Sequence, residues 1–182
     1  MLNRSLSVSI VVYKPDFDIL KKTLISFFKA SKEIKLNDLK VYLINNSINY
    51  KEKNIQNLCD SFNLILINAK KNYGYGKGHN LVLKNILMYH LILNPDVIIE
   101  KNALKRCIEY IEKDKNIGLI TPNASDPDNN FQYLIKNYPS VFIYFLRGIA
   151  PIFIKKIFKK KLDDYIFKHQ YKKEFNKEIK IT

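Results

Sequence analysis

Leu6-Ser7-Val8-Ser9-Ile10-Val11-Val12-Tyr13 runs directly into Lys14-Pro15-Asp16, and the residues after it change period. The first eight read as a strand. Phe17, Leu20, Leu24, Phe27 and Phe28 then recur near i, i+3 and i+4, which is a helix with one apolar stripe. The same alternation continues outward. Leu39 to Ile44 is a second strand ending at Asn45-Asn46-Ser47, and residues 51–62 form a helix through Ile55, Leu58, Cys59 and Phe62. Leu64 to Ile67 is a third strand. A glycine-rich turn at 74–78 leads into a helix carrying Leu81, Val82, Asn85, Ile86 and Met88. Tyr89 to Leu93 is a fourth strand closed by Asn94-Pro95-Asp96, residues 101–113 a further helix, and Ile117 to Ile120 a fifth strand before the polar loop 123–130. Mostly apolar strands alternating with helices predict an α/β fold, a mostly parallel sheet flanked by helices on both faces.

In such sheets ligands bind outside the carboxyl ends of the strands. The polar segments that follow the strands therefore share one rim: Tyr13 to Asp16, Asn45 to Ser47, Asn72 to Asn80, and Asn94 to Asp96. Two of them could carry chemistry. Proline restricts the residue before it to an extended backbone, so Asn94 and Asp96 are held in a defined relation. A carboxylate there can hold Mg²⁺ or Mn²⁺ bridging two phosphate oxygens, and the ion would neutralise charge on a departing diphosphate. The same tripeptide also suits an ordinary turn. Asn72 to Asn80, with Gly74, Gly76 and Gly78, could bring backbone N–H groups close to a phosphate, or could serve as a flexible turn. Its spacing matches neither Gly-x-Gly-x-x-Gly nor a P-loop.

The order of these segments resembles the family 2 glycosyltransferases, and within them the bacterial rhamnosyltransferase-like branch that decorates lipopolysaccharide O-antigen and capsule. The series is a first strand ending Tyr-Lys-Pro-Asp, a second ending Asn-Asn-Ser, then Asn-x-Gly-x-Gly-x-Gly-x-Asn, then Leu-Asn-Pro-Asp. Phe131 to Leu134 and Tyr138-Pro139 look like that branch's segment after the fifth strand. The resemblance implies the type-A, Rossmann-like fold and an inverting transfer of rhamnose or another hexose from a dTDP- or UDP-linked donor to a glycan or lipid-linked acceptor. By position, it places Tyr13 beside the base, Asn45 where the family usually has a base-facing Asp, and Asn72, Gly76, Asn80 and Asn94 along the nucleotide and sugar. Asp96 matches the last residue of the family's metal-binding Asp-x-Asp. It also implies a Glu-Asp catalytic base in a following acceptor half that this sequence does not include, so no catalytic residue is assigned. Asp126, Asp128, Asp163 and Asp164 are poor candidates for that role.

Composition narrows the rest. The 182 residues carry 31 Lys+Arg against 17 Asp+Glu, a formal charge of +14, with 47% hydrophobic content and no Trp. Disordered, collagen-like and disulfide-scaffold classes fail on these figures. A nucleic-acid module is invited by the charge and weakened by its make-up. Only Arg4, Arg106 and Arg147 are arginines, and guanidinium forks are preferred for reading bases and phosphates. Residues 1–131 are read as a nucleotide-sugar-binding domain and 132–182 as a basic, aromatic, mainly helical tail. The tail holds 12 Lys+Arg and 4 Asp+Glu, so +8 of the +14 falls there. Val141 to Lys161 is either a solvated lysine face or an amphipathic segment on an anionic membrane.

Cys59 and Cys107 are expected to be two buried, reduced thiols, and no His cluster at metal-ligand spacing is visible. His90 reads as a structural histidine on a buried strand, while His79 sits on the rim. No apolar run reaches the ~18–20 residues of a membrane span, and the expected location is cytoplasmic, with a peripheral membrane contact through 141–161.

Overall fold

The computed structural model describes residues 4–126, 128 and 130–168. His169 and the remainder of the expected helical tail lie outside the described residues. The chain divides into two compact units, the first ending at Ile108 and the second beginning at Glu109. The change in composition at residue 131 falls inside the second.

The first unit holds four parallel strands, β1 (Ser5–Val12), β2 (Asp38–Asn45), β3 (Ile65–Asn68) and β4 (Tyr89–Leu93), in the order β3-β2-β1-β4. Val12 stands beside Asn45, and Asn45 beside Asn68, so the strand ends align at one edge. Helix α1 (Phe17–Ser31) starts where the sequence suggests, because the Asp16 carboxylate accepts from the amides of Asp18 and Ile19 at 2.9 and 3.1 Å. Helices α2 (Glu52–Phe62) and α4 (Ala103–Lys113) follow β2 and β4. Leu6, Val8, Ile10 and Val12 of β1 point into one buried cluster with Leu20, Leu24 and Phe27 of α1, Ile55 and Cys59 of α2, and Leu104 and Ile108 of α4. A period-two strand places its other residues, Ser7, Ser9 and Val11, on the opposite face. There Val11 packs with Tyr42, Ile44 and Val82.

Between β3 and β4 the structure differs from the expected glycine turn followed by a helix. The glycine segment is itself the helix, α3 (Tyr75–Asn80), and Leu83–Asn85 is only a 3₁₀ turn. The Oγ atoms of Ser7 and Ser5 accept from the amides of Leu87 and Met88 at 3.0 and 3.3 Å, drawing those N–H groups out of any helical ladder. Tyr-Gly-Lys-Gly-His-Asn is a weak helix former, and tertiary packing overrides the propensity.

In the second unit, β5 (Ala124–Ser125) and β6 (Phe131–Gln132) pair antiparallel around the polar loop. Residues 117–120 are not the fifth strand expected from their apolar run. Gly118 interrupts the run and Leu119 is 78% exposed, so a strand there would gain little burial. The helical character expected beyond residue 131 is present in α5 (Val141–Gly148), α6 (Ile152–Ile157) and α7 (Lys159–Tyr165). They enclose a small cluster of Ile143, Leu146, Ala150 and Tyr165. Among the described residues no helix is long and apolar enough to cross a membrane.

Candidate functional site at the carboxyl ends of the strands

Each strand of the first unit delivers polar groups to the same rim. After β1, Tyr13 is 56% exposed, with the Lys14 ammonium over its ring 5.6 Å from the centre. Lys14 takes a left-handed backbone, φ 47°, and its amide donates to Ser47 Oγ at 2.6 Å, which ties the end of β1 to the end of β2. Asn45 lies under this edge and is buried. Its Oδ1 accepts from the Ser47 amide at 2.9 Å and its Nδ2 donates to Asn68 Oδ1 at 3.0 Å, so it braces the loop after β2 against β3.

Asn46, which sequence reasoning left without a role of its own, is buried beside it. Its Nδ2 donates to the Gly74 carbonyl at 2.9 Å, while its Oδ1 has no partner.

The loop into α3 is shaped by two glycines. Gly74 has φ 74°, and its amide donates to Asn72 Oδ1 at 2.8 Å, a side-chain-closed turn. Gly78 lies against β1, where an added Cβ would stand 2.9 and 3.0 Å from the two Val11 methyls and 3.2 Å from Asn46 Nδ2. Gly76 and Asn80 are exposed, and a Cβ at Gly76 would meet nothing within 4 Å. The close approach at Gly78 lets the next residue, His79, reach the sheet. Its Nδ1 is 2.7 Å from Ser9 Oγ, and the Tyr75 ring stacks on it edge-on at 4.5 Å, one helical turn back.

His90 joins the same cluster, with Nδ1 2.8 Å from Ser7 Oγ and Nε2 2.9 Å from Ser9 Oγ. Burial lowers the pKa of both imidazoles, and for His79 the neighbouring His90 adds to the effect. The second orphaned atom is His79 Nε2. The reading of His90 as structural is thereby given its partners, and His79 proves to be a buried anchor of α3.

Beyond β4, α1 fixes the Asn-Pro-Asp segment and the chain after it. Thr23 Oγ1 donates to the Pro95 carbonyl at 2.9 Å, and Ser26 Oγ accepts from the Ile99 amide at 3.0 Å. Asn94 and Asp96 are left exposed. Tyr75 Oη donates to Asn94 Oδ1 at 2.5 Å, and the Tyr75 pKa is raised by burial and by the charge of Asp96. Tyr75 thus links α3 to the loop after β4, and aromatic spacing alone did not single it out.

Elsewhere in the first unit, a cleft of about 550 Å³ lined by Lys22, Ile25, Lys29 and Ile98, among others, contains none of these residues. Of the carboxylates set aside as catalytic bases, Asp126 is occupied. It accepts from the Asn130 amide and side chain and from the Asp128 amide, and these bonds, those of Asn130 first, lower its pKa. Asp163 pairs with Lys168 at 3.5 Å. Cys59 is buried, its thiol pushed up to about 11 by burial and then by Asp60, whereas Cys107 is only partly buried.

Four parallel strands, α helices packed on them and a polar rim at the carboxyl ends define an α/β domain of the kind in which ligands bind at that rim. No family model matches the chain, and no curated protein matches it. Solved structures of TarS from S. aureus share the fold. TarS 1–349 in complex with UDP-GlcNAc aligns with a TM-score of 0.50 and 21% identity, covering 60% of this chain and 31% of that one. A longer TarS structure aligns at 0.49, with 21% identity, covering 60% of this chain and 20% of that one. The chain thus spans less than a third of the length of either TarS structure.

Proposed function

We propose that the first unit is the donor-binding half of an inverting glycosyltransferase, which takes a hexose such as rhamnose from a dTDP- or UDP-linked donor. The acceptor in this reading is a glycan of lipopolysaccharide, O-antigen or capsule, and no residue is assigned as the catalytic base. The observation that carries the reading is the convergence of Tyr13, Ser47, Asn72 to Asn80 and Asn94 to Asp96 at one strand edge. Two further facts support it. Asn46 Oδ1 and His79 Nε2 are buried without partners beside or beneath that edge, and such groups call for a ligand or water. The fold is shared with TarS 1–349, whose structure holds UDP-GlcNAc.

Within this reading Tyr13 stacks on the base and Asn45 braces the loop beneath it. Asn72, Gly76 and Asn80 border the diphosphate and sugar, with Asn94 held by Tyr75 beside them. Asp96 is the metal ligand. It and the Asn94 carbonyl oxygen are hard donors suited to Mg²⁺ or Mn²⁺. Among the described residues no three His, Cys, Asp or Glu side chains cluster, so a bound ion would take most of its oxygen ligands from outside the protein. The ion would neutralise charge on the departing diphosphate.

The test is calorimetry of the whole chain with UDP and dTDP, with and without Mn²⁺. At least one nucleotide is expected to bind, more tightly with metal, and Asp96→Asn is expected to remove the metal dependence without changing the fold. If neither nucleotide binds, the reading fails. If the Asp96→Asn protein keeps its Mn²⁺ dependence, Asp96 is not the ligand.

A further inference from the structure

The second unit has apolar surface on both sides of α5 and α6. One side forms the cluster around Ile143 and Leu146, extended by Ile154 and Phe158. The other lies open: Val141, Tyr144, Ile149, Ile152, Phe153 and Ile157 are each between 63% and 87% exposed. On α5 Val141 and Tyr144 stand three apart, on α6 Phe153 and Ile157 stand four apart, and Ile149 and Ile152 lie at the link between the helices, so each helix carries an open apolar stripe rather than a scatter. Isolated exposed apolar residues are ordinary, whereas a contiguous set marks a surface that meets something apolar.

The charges beside the stripe say what. Arg147, Lys155, Lys156, Lys159, Lys160 and Lys161 lie between residues 141 and 161, and that stretch contains no carboxylate. Lys156, Lys159, Lys160 and Lys161 are exposed. A second copy of the chain would bring the same cations face to face. A bilayer with anionic headgroups instead offers hydrocarbon to the stripe and negative charge to its fringe.

We propose that α5 and α6 lie in the interfacial layer of an anionic membrane, with Ile149, Ile152 and Phe153 inserted and the lysines from Lys155 to Lys161 at headgroup level. This site is separate from the strand rim and does not depend on what the rim binds.

The experiment is co-sedimentation of the whole chain with vesicles of phosphatidylcholine alone and of phosphatidylcholine mixed with phosphatidylglycerol, at low and high salt. Binding to the mixed vesicles is expected, weakening with salt. The double variant Ile149→Asn/Ile152→Asn should lose most of the binding while its far-UV circular dichroism is unchanged, since both side chains are exposed. Replacing Lys155, Lys156, Lys159 and Lys160 by Gln should weaken it by about fivefold per lysine. Three results would overturn the proposal: no binding to mixed vesicles, equal binding to both compositions, or binding untouched by either variant. A concentration-dependent dimer abolished by the double variant, with no vesicle binding, would make the stripe a self-association surface. Nucleotide calorimetry on the same variants should be unchanged, so the two readings fail separately.

Discussion

On one face of the four-stranded sheet, Leu6, Val8, Ile10 and Val12 meet helices α1, α2 and α4 in a closed apolar cluster. On the other, the same strand presents Ser7 and Ser9 to His90 and His79, with Val11 packed against α3. The first face is held by area removed from water and tolerates few changes of volume. The second is held by hydrogen bonds and one close backbone approach, and it is the face on which α3 is mounted, whereas the loop after β4 is held by Thr23 and Ser26 of α1. The division suggests that stability and site geometry are set by different residues of a single strand.

The largest expected effect is on the apolar face. Phe27 is fully buried at its centre, so Phe27→Ala should cost about 3–5 kcal/mol in urea unfolding, with the denaturant slope unchanged. On the polar face Gly78→Ala should cost less, about 1–2 kcal/mol, because overpacking against the Val11 methyls is partly offset by better helix propensity. It should nonetheless weaken nucleotide binding more than Phe27→Ala does, since it lifts α3 from β1. Gly76→Ala is the matched control: with open space around it, the change should stabilise the protein by about 0.4–1 kcal/mol. If Gly76→Ala and Gly78→Ala behave alike, the close approach does not position α3.

The smallest effect concerns protons. Both His79 and His90 have folded pKa values below 6.5, so the unfolded chain binds more protons between the folded values and 6.5. Stability should therefore be full above pH 6.5 and fall as pH drops through that window. His90→Gln should flatten this dependence and Phe27→Ala should leave it intact; a dependence unchanged by His90→Gln would assign it to other groups.

These faces were unequally legible in the sequence. The apolar face was readable because strand and helix periods are encoded locally, as in Leu20, Leu24 and Phe27, and because Pro15-Asp16 marks a helix start. The rim followed from topology alone, since parallel strands must end on one edge. The identity of α3 was not readable, because Gly78 and His79 are placed by Val11 and Ser9 some seventy residues earlier. Nor was the fate of 117–120, where a short apolar run gains burial only if a strand partner exists. Tyr75 and Asn46 escaped for the same reason, as their partners Asn94 and Gly74 come from other loops.

In the proposed reading the rim after β1 to β4 receives a nucleoside diphosphate. The most direct measurement is a titration of isotope-labelled protein with UDP and Mg²⁺, followed by amide NMR shifts. Under the proposed reading, shifts concentrate at Lys14, Ser47, Gly74, Tyr75 and Asp96 while α2 and α4 stay still. It is contradicted if no amide moves, or if the shifts gather at the lysine-lined cleft around Ile25 and Ile98 instead.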